Sequence, residues 1–214
     1  MCGRFAFYSP HEAVTELFGV EFPLAFEPRY NIAPTQYVAA IRLDEEQQPE
    51  GVMLRWGLVP SWAKDPAIGN RMINARAETV AEKPAFRAAF KRRRCVVLAN
   101  GFYEWQAGQD GKQPWYISAT DDRPVALAGL WEHWDKGDEL LETCTLITTR
   151  ANRFMTALHD RMPVVLDAAN YCDWLERPDP ALLEPGPEDL LKAHPVSRAV
   201  NNPMHEGADL ILAD

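Results

Sequence analysis

Residues 94–106 read Arg94-Cys95-Val96-Val97-Leu98-Ala99-Asn100-Gly101-Phe102-Tyr103-Glu104-Trp105-Gln106. Arg94 to Ala99 and Phe102 to Gln106 are rich in β-branched and aromatic residues, so each predicts a strand. Further strands follow at Pro114 to Ser118, Val125 to Trp134 and Thr143 to Thr149, with Asp110-Gly111 as a hairpin turn. Upstream, Phe86, Ala89 and Phe90 share a helical register within Glu82 to Arg93. Tyr37 to Leu43 and Val52 to Trp56 predict a hairpin around the acidic turn Asp44 to Gln48. Ser9-Pro10-His11-Glu12, then Val14, Leu17, Phe18 and Gly19, predict a capped amphipathic helix with a glycine stop. The proline-punctuated Phe22 to Pro34 reads as an irregular connection, and Gly57 to Asn70 as a long loop of the kind that usually carries function. Toward the C-terminus the pattern predicts helices near Asn152 to Leu158, Ala168 to Leu175 and Glu188 to Lys192, and strands at Pro163 to Leu166 and His194 to Val200. Strands and helices without regular βαβ alternation place the chain in the α+β class. The expected architecture is a mainly antiparallel, barrel-like sheet with flanking helices, as a single domain over 1–214.

The 214 residues carry 22 basic and 31 acidic side chains, a formal charge of −9, and 47% are apolar. That profile suits a soluble globular protein and excludes disorder and low complexity. No run of about 18 apolar residues offers a membrane span. The N-terminus lacks a basic segment followed by an apolar run, so a cytoplasmic location is expected. The four cysteines (Cys2, Cys95, Cys144, Cys172) and five histidines form no metal-ligand spacing, so no metal or other cofactor is expected. Cys95 and Cys144, inside strand-like runs, read as buried inert thiols, and Trp105 and Trp131 read as core. Absence of heptads favours a monomer.

Charge is unevenly distributed. Residues 53–104 hold ten basic and four acidic side chains, a local +6 against −15 elsewhere. A basic segment on an acidic body suits a localised polyanion site. The quartet Lys91-Arg92-Arg93-Arg94 is equally a helix end whose cations offset the dipole, and the two readings stay open.

Cys2 stands where removal of Met1 would leave a free α-amine and a thiol on one residue. The amine, with a reference pKa near 8, is partly neutral at pH 7. It can condense with an aldehyde to an imine, onto which the thiol closes a thiazolidine with the advantage of proximity. Alternatively the thiol attacks a carbonyl with the amine as base, which is amide hydrolysis. Gly3 permits close backbone approach, Arg4 brings a cation, and Phe5 and Phe7 begin an alternation that anchors the terminus as a strand.

The blocks Cys2-Gly3-Arg4-Phe5, Arg29-Tyr30-Asn31-Ile32-Ala33-Pro34-Thr35, Arg55 to Trp62, Ile73-Asn74-Ala75-Arg76-Ala77-Glu78-Thr79, Gly101-Phe102-Tyr103-Glu104-Trp105, Ala128 to Trp131, His159 to Leu166 and Val200-Asn201-Asn202-Pro203 occur in order along the chain. Together they resemble the SOS-response-associated peptidase (SRAP) family over essentially its whole length. The resemblance implies a sensor of abasic sites in single-stranded DNA. The opened deoxyribose aldehyde would be captured by the Cys2 aminothiol as a covalent thiazolidine, with weak lyase and autoproteolytic activity as side chemistry. It assigns the nucleophile to Cys2. Asn74 would hold the amine or the opened sugar, Glu104 would shuttle protons, and His159 would protonate the departing sugar oxygen or stabilise the imine. Arg4, Arg76 and Arg161 would grip flanking phosphates, Thr148 would donate a hydroxyl to one, and Trp62 would stack on a base.

Two rival readings remain. An N-terminal-nucleophile cysteine amidohydrolase accounts for Cys2 and Gly3 but not for the basic segment or the His159 block. A non-covalent single-stranded DNA binder would make Cys2 incidental.

Overall fold

The computed structural model describes residues 2–23, 26–108 and 111–214. Thirteen strands among these residues form two sheets, accompanied by four short α-helices. One sheet is wholly antiparallel. It comprises β1 (Phe5–Phe7), β2 (Arg29–Ile32), β7 (Gly101–Gly108), β8 (Gly111–Ala119) and β13 (Leu191–Pro195), in the order β13-β8-β7-β1-β2. The other comprises β3 (Tyr37–Leu43), β4 (Pro49–Trp56), β5 (Asn74–Arg76), β6 (Arg94–Ala99), β9 (Val125–Trp134), β10 (Leu141–Arg150), β11 (Arg161–Pro163) and β12 (Val165–Leu166). Its pairings run β10–β4–β3–β6–β9 and return to β10. The return makes it barrel-like, but it is not a true barrel. The β4–β10 seam is a parallel contact of two residue pairs, Thr143 with Arg55 and Cys144 with Trp56. The α+β class and the predominance of antiparallel pairing agree with the sequence; the parallel registers of β10 with β4 and β5 do not follow from it.

The quoted stretch is the joint between the sheets. All six residues of β6 are buried in one sheet, and after Asn100 the chain enters β7 of the other. Asn100 Oδ1 accepts from the backbone N–H groups of Tyr8 and Ser9, which ties the chain after β1 to this joint. Gly101 has no substitute there: a Cβ would lie 2.4 Å from Tyr116 Cζ and 2.5 Å from the Ile117 oxygen. β1 is sandwiched between β2 and β7, its three residues all buried, as expected of an anchored terminal strand.

The helices are α1 (His11–Phe18), α2 (Arg87–Arg92), α3 (Arg153–Thr156) and α4 (Tyr171–Glu176). α1 ends on Gly19 at φ +68°, the left-handed stop its sequence predicts. Its start is different: Pro10 occupies the cap without a side-chain bond, because Ser9 is engaged by Asn100 Nδ2 at 2.8 Å. Three expected elements are corrected, one of them the strand at His194 to Val200: β13 ends at Pro195 and Arg198–Asn201 is a 3-10 turn. Arg29–Ile32, read as irregular because of nearby prolines, is a strand because β1 offers it an edge. Glu188 to Lys192, read as helix, is turn and strand, since so short a segment gains little as a helix while the open edge of β8 satisfies β13. Asp110 of the expected hairpin turn lies outside the described residues, though Gly108 pairs with Gly111 across it.

The basic quartet resolves into three environments. Arg94 is buried, and its guanidinium donates to the carbonyls of Phe90, Trp174 and Leu175. Arg93 pairs with the buried Glu132 at 2.7 Å, and Lys91 and Arg92 lie exposed in the last turn of α2. The helix-end reading therefore holds for Lys91 and Arg92, while Arg93 and Arg94 are held by Glu132 and by backbone carbonyls. Cys95 and Cys144 are buried as expected. Trp105 and Trp131 are only half-buried; Trp105 Nε1 donates to Asn201 Oδ1, and the Arg42 guanidinium lies 4.2 Å over the Trp131 ring.

Candidate active site

The junction of β1 and β7 with β5, β10 and β11 gathers most of the residues singled out in the sequence. Cys2, just before β1, is fully buried. Its carbonyl accepts a hydrogen bond from Asn74 Nδ2 at 2.8 Å. Asn74 reaches it because β5 runs parallel to β10, pairing Leu146 with Asn74 and Thr148 with Arg76. On the other side, Tyr103 N–H donates to the Arg4 carbonyl, bringing Glu104 against the Cys2 segment. Glu104 is 2% exposed. Burial pushes the Cys2 thiol well above the usual thiol range, and the nearby Glu104 carboxylate pushes it further. The resting thiol is therefore protonated.

His159 follows α3, its N–H bonded to the Met155 carbonyl. Gln106 of β7 donates to the Ala157 carbonyl at 2.8 Å, which ties this loop to the strand that carries Glu104. His159 Nδ1 sits 2.9 Å from the Arg161 N–H and 2.8 Å from Asp160 Oδ1. Where Nδ1 accepts from the Arg161 N–H, the neutral ring carries its proton on Nε2.

The arginines divide by surroundings. Arg4 turns inward: Nη1 donates to Asn31 Oδ1 at 2.7 Å and to the Val200 carbonyl at 3.0 Å. Asn31 in turn donates to the carbonyls of Asn202 and His205. Arg76 is exposed at the end of β5. Arg161 forms a forked ion pair with Glu78, and its Nη2 also donates to the Thr148 carbonyl at 2.6 Å. Thr148 is fully buried, its hydroxyl 3.5 Å from the Ala75 carbonyl, so it faces the β5–β10 seam rather than the surface expected of a phosphate donor. Trp62 stands apart from the cysteine. It is 55% exposed and borders a groove of about 320 Å³ together with Lys64, Ile68 and Arg71.

Several buried polar atoms among the described residues lack a hydrogen-bond partner, at Asn74 Oδ1, Arg4 Nε and Arg161 Nε and at Arg55, Thr79, Arg93 and Thr145. An unsatisfied buried polar atom costs about 1–3 kcal/mol, so a donor at Asn74 Oδ1, on the amide that holds the Cys2 carbonyl, would be stabilising. No group of His, Cys, Asp and Glu among the described residues could hold a metal ion.

A family model described as SOS response associated peptidase (SRAP) matches residues 1–203. The chain belongs to the SRAP family. The abasic site processing protein YoaM of Bacillus subtilis is 43% identical over 225 residues, spanning 100% of this chain and 99% of YoaM. The abasic site processing protein YedK of Escherichia coli is 32% identical and covers 99% of both chains. The abasic site processing protein HMCES of Xenopus tropicalis is 33% identical over 88% of this chain and 67% of its own. A crystal structure of a protein from Bacteroides thetaiotaomicron superposes with a TM-score of 0.89 over 100% of both chains at 24% identity, which shows a common fold. A phage-related protein from Bordetella bronchiseptica, 30% identical, superposes at 0.71 over 92% of this chain and 95% of its own. No helix among the described residues is long and apolar enough to cross a membrane.

Two residues that brace this candidate site escaped the sequence reading. Asn31 lies in the Arg29 to Thr35 block and Glu78 in the Ile73 to Thr79 block, so both were in quoted motifs. Neither residue type announces its role; only the distant partners, Arg4 with residues 200–205 and Arg161, reveal it.

Proposed function

We propose that this protein processes abasic sites in single-stranded DNA by capturing the opened sugar on Cys2 once Met1 has been removed. The observation that carries this reading is the Asn74 contact. Asn74 Nδ2 holds the Cys2 carbonyl, while Oδ1 of the same amide is buried and accepts nothing. A free Cys2 amine, on the same residue as that carbonyl, is the donor this oxygen lacks.

The amine nitrogen adds to the C1′ aldehyde of the ring-opened deoxyribose. The carbinolamine loses its hydroxyl as water, leaving an imine. The Cys2 sulfur then bonds to the imine carbon, the thiol proton passes to nitrogen, and a thiazolidine results; one water is released overall. In this order the amine acts first and the sulfur second; an amidohydrolase would instead use the thiol as its first nucleophile, with the amine as base. Glu104 accepts and returns the proton at the amine, and His159 Nε2 donates to the departing oxygen. Arg76 and Arg161 receive phosphates, Arg4 braces the Cys2 segment as well as offering Nε, and Trp62 stacks on a base. β-Elimination from the imine would give a minor lyase activity.

Mixing the protein with uracil-containing single-stranded DNA pretreated with uracil glycosylase should give an adduct that survives boiling in detergent. Cys2→Ala and retention of Met1 should each abolish it, and undamaged DNA should give none. Adduct formation by the Met1-bearing chain would refute the aminothiol route. Rapid ammonia release from glutamine would favour the amidohydrolase.

A further inference from the structure

Arg161 opens β11, and its guanidinium is already occupied. Nη1 and Nη2 meet Glu78 Oε1 and Oε2 at 2.5 and 3.0 Å, a fork-to-fork pair. Nη2 is also tethered to the Thr148 carbonyl, and Nε is buried. The edge of Arg161 that a ligand can approach is thus the one Glu78 holds. Half of the Glu78 side chain is exposed, while that of Arg161 is 15% exposed. The Arg161 hydrogen bond holds the Glu78 carboxyl below the usual range, with burial opposing and the Arg76 charge reinforcing. Glu78 thus holds one of the arginines assigned above to phosphates, Arg161, and follows the other, Arg76, by two positions in the chain.

A carboxylate and a phosphate present the same two-oxygen edge to a guanidinium. Both cannot use one fork at once. We propose that Glu78 is a built-in stand-in for a DNA phosphate, and that displacing it keeps intact single strands from occupying the site unproductively. Every strand meets this cost. Only a strand bearing an aldehyde offsets it afterwards, through the covalent bond to Cys2. Glu78 thereby determines specificity at the binding stage without touching the reacting atoms. This inference rests on the reading of Arg161 as a phosphate ligand.

The alternative role for Glu78 is a buttress that aims Arg161 at DNA, and it predicts the opposite sign. The test is fluorescence anisotropy of an intact single-stranded oligonucleotide with the parent, Glu78→Gln, Arg161→Lys and the double variant, across a salt series. Glu78→Gln keeps the shape of the side chain and removes its charge. It should bind the intact strand about three- to fivefold more tightly, the scale of a partly exposed ion pair. Its salt dependence should steepen by about one unit, for one additional neutralised phosphate. Adduct formation on an abasic strand should become more sensitive to excess intact strand. In the Arg161→Lys background, where no fork exists, the gain should vanish. Unchanged or weaker binding by Glu78→Gln, or a gain that persists with Arg161→Lys, overturns the proposal. Failure of the parent to form any adduct would instead overturn the covalent mechanism, and the intact-strand measurement is independent of it.

Discussion

Asn74 is the residue at which structure and proposed chemistry are most tightly joined, and its replacement separates them. Asn74→Ala removes one hydrogen bond of 2.8 Å to the carbonyl of a fully buried residue. The bond itself contributes about 1 kcal/mol, and the carbonyl left without a donor costs about 1–3 kcal/mol. A loss near 2 kcal/mol is expected, or roughly 4–8 °C in Tm for a chain of this size. Adduct formation should fall by about 100-fold, the scale of misplacing a reacting group by an ångström. Asn74→Asp provides the sharper contrast. It retains an oxygen for the Cys2 amine but sets a carboxylate beside it, which stabilises the ammonium and raises the amine pKa. The nucleophile is the neutral amine, so adduct formation should slow at neutral pH and recover as pH rises. Rates are read from denaturing gels over a pH series, and stability from thermal melts. Identical pH profiles for Asn74→Asp and the parent would refute an amine contact. So would Asn74→Ala reacting at the parental rate while melting lower, since that pattern belongs to a purely structural amide.

Arg76→Ala should weaken binding to any strand and reduce the salt slope by about one unit; an unchanged slope would remove Arg76 from the phosphate contacts. Arg94→Ala should destabilise the fold by about 3 kcal/mol or more, because the carbonyls of Phe90, Trp174 and Leu175 lose a buried cationic donor together; chemical denaturation checks this. Acid titration should expose the Glu78–Arg161 pair. With the Glu78 pKa depressed by folding, its contribution is present above the ordinary glutamate value near 4.3 and is lost as pH falls below it. Glu78→Gln should flatten that acid limb, and because Glu78 is half-exposed the difference should stay within about 1 kcal/mol.

What the sequence disclosed follows from how local each signal is. β6, β7, β9 and β10 are long runs of strand-forming residues, and each appears where its pattern places it. The glycine stop of α1 is equally local. β5 is three residues with no pattern of its own; it is a strand because β10 lends it a parallel edge 72 positions away. β2 and β13 are likewise made by neighbours that sequence order does not name. At the candidate site, Cys2, Asn74 and Glu104 were singled out through the family resemblance of the quoted blocks, and the structure brings them together. Thr148 reads from the sequence as an open strand end; the structure buries it because β5 and β11 flank it. Glu78 stands in a quoted block without a role of its own, and only its fork to a residue 83 positions onward gives it one.

The Asn31 amide joins Arg4 to the carbonyls of Asn202 and His205. A chain emerging from the ribosome presents its first residues long before those acceptors have been synthesised. The lock on the Cys2 segment can close only when translation has passed residue 205. Under the mechanism proposed above, Met1 removal would precede this closure, because the acceptors that brace the Cys2 segment are among the last residues to be made.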